Sequence, residues 1–189
     1  MALTRVQAPQ EEPLTVADAK AQAIVQVSTD DSLIEAYIQT AREHVEAFVK
    51  RSLVTQTWRL TLDCWSWMIY LPQPPVQSVS SIKYLDDQGV QQTLDPAHYR
   101  VDVSGDPARI TPAYGYTWPS VQPVISPIEI EYVAGYGDAA DVPQAFKHAM
   151  RLHIAAMYEF REDFVAGTII TQLPEGAKSF LWPHIAYTP

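Results

Sequence analysis

The sequence predicts an α+β protein in which N- and C-terminal helices form a small bundle carrying an inserted antiparallel β-rich subdomain. Three observations carry this. Apolar residues recur with helical spacing from Asp31 to Arg51, the period drops to two at about Val54, and the helical period returns at Pro143. The chain accordingly divides into a mobile arm over 1–13, a helical core over 14–53 and 139–189, and a β-rich insertion over 54–138.

The arm is assigned on its polar composition and on Pro9 and Pro13. Thr15 then stands at an N-cap position with Asp18 three residues on, which predicts a short helix over 16–24. Ser28-Thr29-Asp30-Asp31 offers a second helix start with negative charge at the positive end of the dipole. From Asp31, Leu33, Ile34, Tyr37, Ile38, Ala41, Val45, Phe48 and Val49 fall on one side, and Glu35, Gln39, Arg42, Glu43, Glu46 and Lys50 on the other.

In the insertion, Trp58, Leu60 and Leu62 alternate with Thr57, Arg59, Thr61 and Asp63, the pattern of a half-buried strand. Further strands are expected at 67–71, 79–85, 90–94, 99–103, 108–111 and 128–133. Turn formers separate them, among them Asp86-Asp87-Gln88-Gly89, where Gly supplies the left-handed residue of a hairpin loop. Asp141-Val142-Pro143 opens a helix to about Phe160, with Phe146, Ala149, Met150, His153 and Met157 on one face. Residues 162–173 read as a flexible loop, and Glu175–Trp182 as a last short helix stopped by Pro183.

The composition narrows the function. Of 189 residues, 47% are hydrophobic and 19% charged, enough apolar material for a core. No apolar run approaches the roughly 20 residues that cross a bilayer, and the start lacks a signal-peptide core, so a soluble, non-exported protein without membrane contact is expected. Cys64 is the single cysteine, which excludes an intrachain disulfide and a thiolate cluster within one chain; it reads as a small buried thiol. The net charge of −9, with 13 scattered basic residues, argues against sequence-specific DNA binding but suits walls past which DNA slides.

The chemistry-bearing residues do not assemble into a known motif. His148 and His153 are five apart, about 140° around a helix, so they do not share a metal as an i, i+4 pair would. His153 reads as a packed core histidine. Glu159, Glu162 and Asp163 read as a solvated helix end. Ala134-Gly135-Tyr136-Gly137-Asp138 lacks the lysine and third glycine of a phosphate loop and reads as a turn. No catalytic residue, metal ligand or cofactor site is assigned. The aromatics Trp58, Trp65, Trp67, Tyr70, Tyr114, Tyr116 and Trp118 suit a core first, a subunit interface second and a ligand platform third. That third option keeps open a tail or baseplate β-sandwich module that recognises carbohydrate.

Several segments in fixed order carry a resemblance. They are Leu14-Thr15-Val16-Ala17-Asp18-Ala19-Lys20, Leu33-Ile34-Glu35-Ala36-Tyr37-Ile38, Leu53-Val54-Thr55-Gln56-Thr57-Trp58-Arg59-Leu60, Leu71-Pro72-Gln73-Pro74-Pro75-Val76-Gln77-Ser78-Val79, Tyr132-Val133-Ala134-Gly135-Tyr136-Gly137-Asp138, Val142-Pro143 and Tyr158-Glu159-Phe160-Arg161-Glu162. In this order they resemble the tailed-phage head–tail connector (adaptor, head-completion) family in its longer form with a β-rich insertion. The resemblance covers about Leu14 to Tyr187. It implies a non-enzymatic virion protein of the head–tail junction, assembled in the host cytoplasm. It further implies a ring of copies, usually twelve, docked below a portal protein, meeting stopper or tail proteins and extending the DNA channel. The arm and the apolar segment Phe180, Leu181, Trp182 and Pro183 are the expected portal contacts.

Overall fold

In a computed structural model, residues 1–24, 26, 28–159 and 173–186 are described. The chain divides into two compact units, one of residues 1–10, 55–136 and 186–189, the other of residues 11–54 and 137–185.

The second unit is helical. Helix α1 (Val16–Ala23) starts at Thr15, whose hydroxyl accepts from Asp18 N while the Asp18 carboxylate accepts from Thr15 N. This is the reciprocal capping box that the Thr-x-x-Asp spacing predicts. Helix α2 (Asp31–Val49) buries Ile34, Ile38, Ala41, Val45 and Val49 and ends at Lys50 in the left-handed conformation. Its N-cap, Asp30, makes no side-chain cap bond. The expected cap is replaced by a tertiary contact, in which the Tyr158 hydroxyl donates to Asp30 Oδ2 at 2.7 Å. Helix α3 (Gln144–Glu159) buries Phe146, Ala149, Met150, His153 and Ile154, close to the expected stripe. Helix α4 (Glu175–Leu181) follows, then a 3₁₀ turn over Trp182–His184. The expected loop up to residue 172, with Glu162, Asp163 and Gly167, lies outside the described residues.

The first unit is two antiparallel sheets. Strands β1 (Ala2–Gln7), β2 (Gln56–Leu62), β3 (Ile69–Leu71), β4 (Val76–Leu85), β5 (Gln91–Thr93), β6 (Tyr99–Asp102), β7 (Ala108–Pro112) and β8 (Ile128–Ala134) form one sheet ordered β1-β2-β8-β4-β5 and another ordered β3-β7-β6. Strand β8 is the centre of the larger sheet. Its alternation buries Ile128, Ile130, Tyr132 and Ala134, opposite Leu62, Leu60, Trp58 and Gln56 of β2. Leu71, Ile82, Ala108 and Ile110 complete the core, with Trp58 and Leu62 packed against it. The β4–β5 loop is the expected hairpin: Gly89 has φ 77°, and the Asp86 carboxylate accepts from the backbone N–H groups of Gln88 and Val90.

The N-terminal residues correct the sequence reading. Residues 2–7, assigned to a mobile arm, form edge strand β1 in register with β2, Leu3 facing Leu60 and Arg5 facing Trp58. Leu3 packs against the core, and the apolar residues Ala2, Leu3 and Val6 do not fall at alternate positions, so no strand period is visible.

Candidate assembly surfaces

The expected partner segment is amphipathic in space. Leu181 is buried at the base of α4, whereas Phe180 and Trp182 are 42% and 64% exposed and Pro183 is also exposed. Phe180 lies edge-on to His148 at 4.8 Å between ring centroids, and Trp182 edge-on to Phe48 at 5.8 Å. The turn is fixed from below: Arg51 Nε donates to the His184 carbonyl, and the His184 ring packs on buried Phe146. The helical unit therefore presents two large aromatic rings held in place by one buried leucine. Such anchors suit a protein interface, since rigid aromatics contribute contact area at low entropy cost.

Two polar groups on α2 are inside, where a helical wheel put them outside. Arg42 and Glu46 are buried, with Arg42 Nη1 donating to Glu46 at 2.9 Å and Nε to Glu12 at 2.8 Å. The second Glu46 oxygen accepts from Leu53 N at 2.9 Å. These carboxylates hold the guanidinium charged against the opposing effect of burial. The neighbouring Glu11 accepts from Ala139 N. Glu11 and Glu12, also assigned to the arm, thus tie the entry segment to the helical unit.

His153 is the core histidine expected, and it has a partner the sequence did not reveal. Its Nε2 lies 2.9 Å from His44 Nδ1, so one ring donates and the other accepts, while its Nδ1 has no partner among the described atoms. Burial, with a smaller contribution from His44, pushes the His153 pKa down to about 4, so the ring is neutral at pH 7. Among the described residues no three His, Cys, Asp or Glu side chains gather as metal ligands.

Two of the aromatic residues of the β unit are committed to each other. Trp65 and Trp118 stack face to face at 4.6 Å, and their indole N–H groups donate to the Pro119 and Ser66 carbonyls. His98 stacks on Tyr116 at 4.3 Å. The Tyr132 hydroxyl donates to the Pro72 carbonyl, and burial pushes that phenol up. Trp67, Tyr70 and Tyr114 are exposed. A cavity of about 200 Å³ is walled by Leu62, Met68, Ile69, Tyr70 and Pro72, with Cys64 at its side. Cys64 is exposed, not buried as expected, because it lies just past the end of β2, where alternation no longer applies.

The described helices include none long and apolar enough to cross a membrane. The model of the phage gp6-like head–tail connector protein family matches residues 13–88. A chain from the neck of an empty gene transfer agent particle, computed with sixfold symmetry, is 26% identical and superposes with a TM-score of 0.81, covering 100% of this chain and 97% of that one. A chain from the neck of the native particle, computed with twelvefold symmetry, is 25% identical with a TM-score of 0.76 and the same coverage. A chain of the native gene transfer agent virion is 24% identical and has the same fold, with a TM-score of 0.81 and again the same coverage. No curated protein matches.

Proposed function

We propose that the chain is a member of the phage head–tail connector family and the adaptor of the particle neck, closing into a ring of twelve copies below the portal. It is a structural subunit of the head–tail junction. In this reading the ring joins the portal to the stopper or tail and continues the DNA channel. The observation that carries it is the end-to-end likeness to neck chains, because it spans both units, not only the family segment at residues 13–88. The net charge of −9 supports the channel role, since acidic walls repel the phosphate backbone and let DNA pass.

Phe180, Trp182 and Pro183, raised on Leu181, form the partner-binding edge in this proposal, with the portal as its partner. Two exposed rings on a fixed turn give the surface a small partner pocket would grip. A chain truncated after Thr171 tests this in co-sedimentation with portal. Loss of docking is expected, and unchanged docking would exclude the edge as the contact. The carbohydrate-module reading is not favoured: Trp65 and Trp118 cover each other, and their N–H groups are already bonded to backbone carbonyls.

A further inference from the structure

Resting on the portal-contact reading above, we infer that the aromatic edge at Phe180 and Trp182 takes an acidic, apolar segment of the portal, with carboxylates beside a large apolar side chain. The edge supplies the apolar half of the contact. Both rings are exposed, and each is propped by a neighbour, Phe180 by His148 and Trp182 by Phe48. Rings already held in place lose little freedom on docking, which suits them as anchors.

The charged half comes from the end of α2. Phe48 touches Trp182, and Arg51 Nε donates to the His184 carbonyl, so the chain is fastened to the turn on both sides of Lys50. Lys50 itself is exposed and forms no ion pair among the described residues.

Carboxylates are scarce in the same surroundings. Residues 47–54 and 176–184 contain no Asp or Glu. The last acid of α2, Glu46, is buried against Arg42 at 2.9 Å, and the one acid of α4, Glu175, meets Lys178 at 2.6 Å. Helix α3 has a single acid, Glu159, about 16 Å along the helix from His148. In a chain of net charge −9 this edge is a cationic exception. Opposite charge on the portal segment would steer it in and fix its register, while the rings supply the buried contact. Nucleic acid is the less suitable anion, because one free lysine on an acidic chain releases few counterions.

The test measures docking of the full chain to its portal by co-sedimentation at low and at high NaCl concentration. Docking of the unaltered chain should weaken several-fold as salt rises. Lys50→Glu should weaken it several-fold at low salt and flatten the salt dependence, and Lys50→Arg should restore both. Lys50→Asn removes the charge in a residue suited to the left-handed cap, and should fall between them. If Lys50→Glu and Lys50→Asn dock as strongly as the unaltered chain while Trp182→Ser loses docking, the acidic partner is overturned and the edge stands as the contact. Full docking by Trp182→Ser would overturn both readings. In a last arm the chain alone is mixed with a short labelled DNA duplex at low salt. No binding that depends on Lys50 is expected, and such binding would overturn the acidic protein segment in favour of nucleic acid.

Discussion

Arg42 and Glu46, one turn apart on the polar side of α2, are both buried and meet at 2.9 Å, with Glu12 closing on the same guanidinium. Removing Glu46 leaves the buried guanidinium to Glu12 alone, a loss toward the low end of the about 3–5 kcal/mol that a buried charge without its partner costs. Glu46→Ala also strips the acceptor from Leu53 N. We expect E46A to fall in that range by urea denaturation, and R42M/E46L to be more stable than E46A. A double variant as unstable as the single one would show that packing volume, not the orphaned charge, sets the loss.

The His44–His153 contact predicts an acid-side loss of stability. The folded state holds His153 near 4 against 6.5 for a free histidine, so between these values the unfolded chain binds more protons. The contribution is complete above pH 6.5 and declines as pH falls toward 4, by roughly 3 kcal/mol over the whole window. Chemical denaturation from pH 7 to 4.5 should show this slope, and H153Q should lose that part of it. Parallel profiles for the two proteins would contradict the assignment.

Leu181 and Trp182 are neighbours, one buried and one exposed. Leu181→Ala empties a buried site and should cost about 2–5 kcal/mol. Trp182→Ser alters an exposed ring and should leave the thermal midpoint nearly unchanged while reducing portal docking. Destabilisation of the two variants to the same degree would place Trp182 in the fold, not at an interface.

Gly137 has φ 134°, and a Cβ there would come 2.4 Å from Asp141 Oδ2. That oxygen accepts from Asp138 N in the turn leading into α3. Gly137→Ala should therefore destabilise by about 1–2 kcal/mol, read as a shift in the urea midpoint. A neutral substitution would mean the turn relaxes freely.

What the sequence revealed was whatever repeats. The change of period from 3.6 to two at Val54 and back at Pro143 located the helices and seven of the eight strands, and Thr15 with Asp18 located a cap. Strand β1 escaped because Ala2, Leu3 and Val6 do not alternate, and its partner β2 is some 50 residues distant in sequence. Arg42 and Glu46 were put on the wet face because a wheel counts polarity and cannot see Glu12 arriving from another segment. The aromatic edge was legible as apolar bulk at Phe180–Pro183, but not its division into buried Leu181 and exposed neighbours. The His44–His153 contact spans 109 residues, a separation at which spacing rules have no reach.

Electron microscopy of the purified chain bound to its portal tests the ring directly. A twelvefold layer beneath the portal, with a continuous channel along its axis, is expected. Portal particles that carry no added layer at saturating protein, or that carry isolated copies without rotational order, would contradict it.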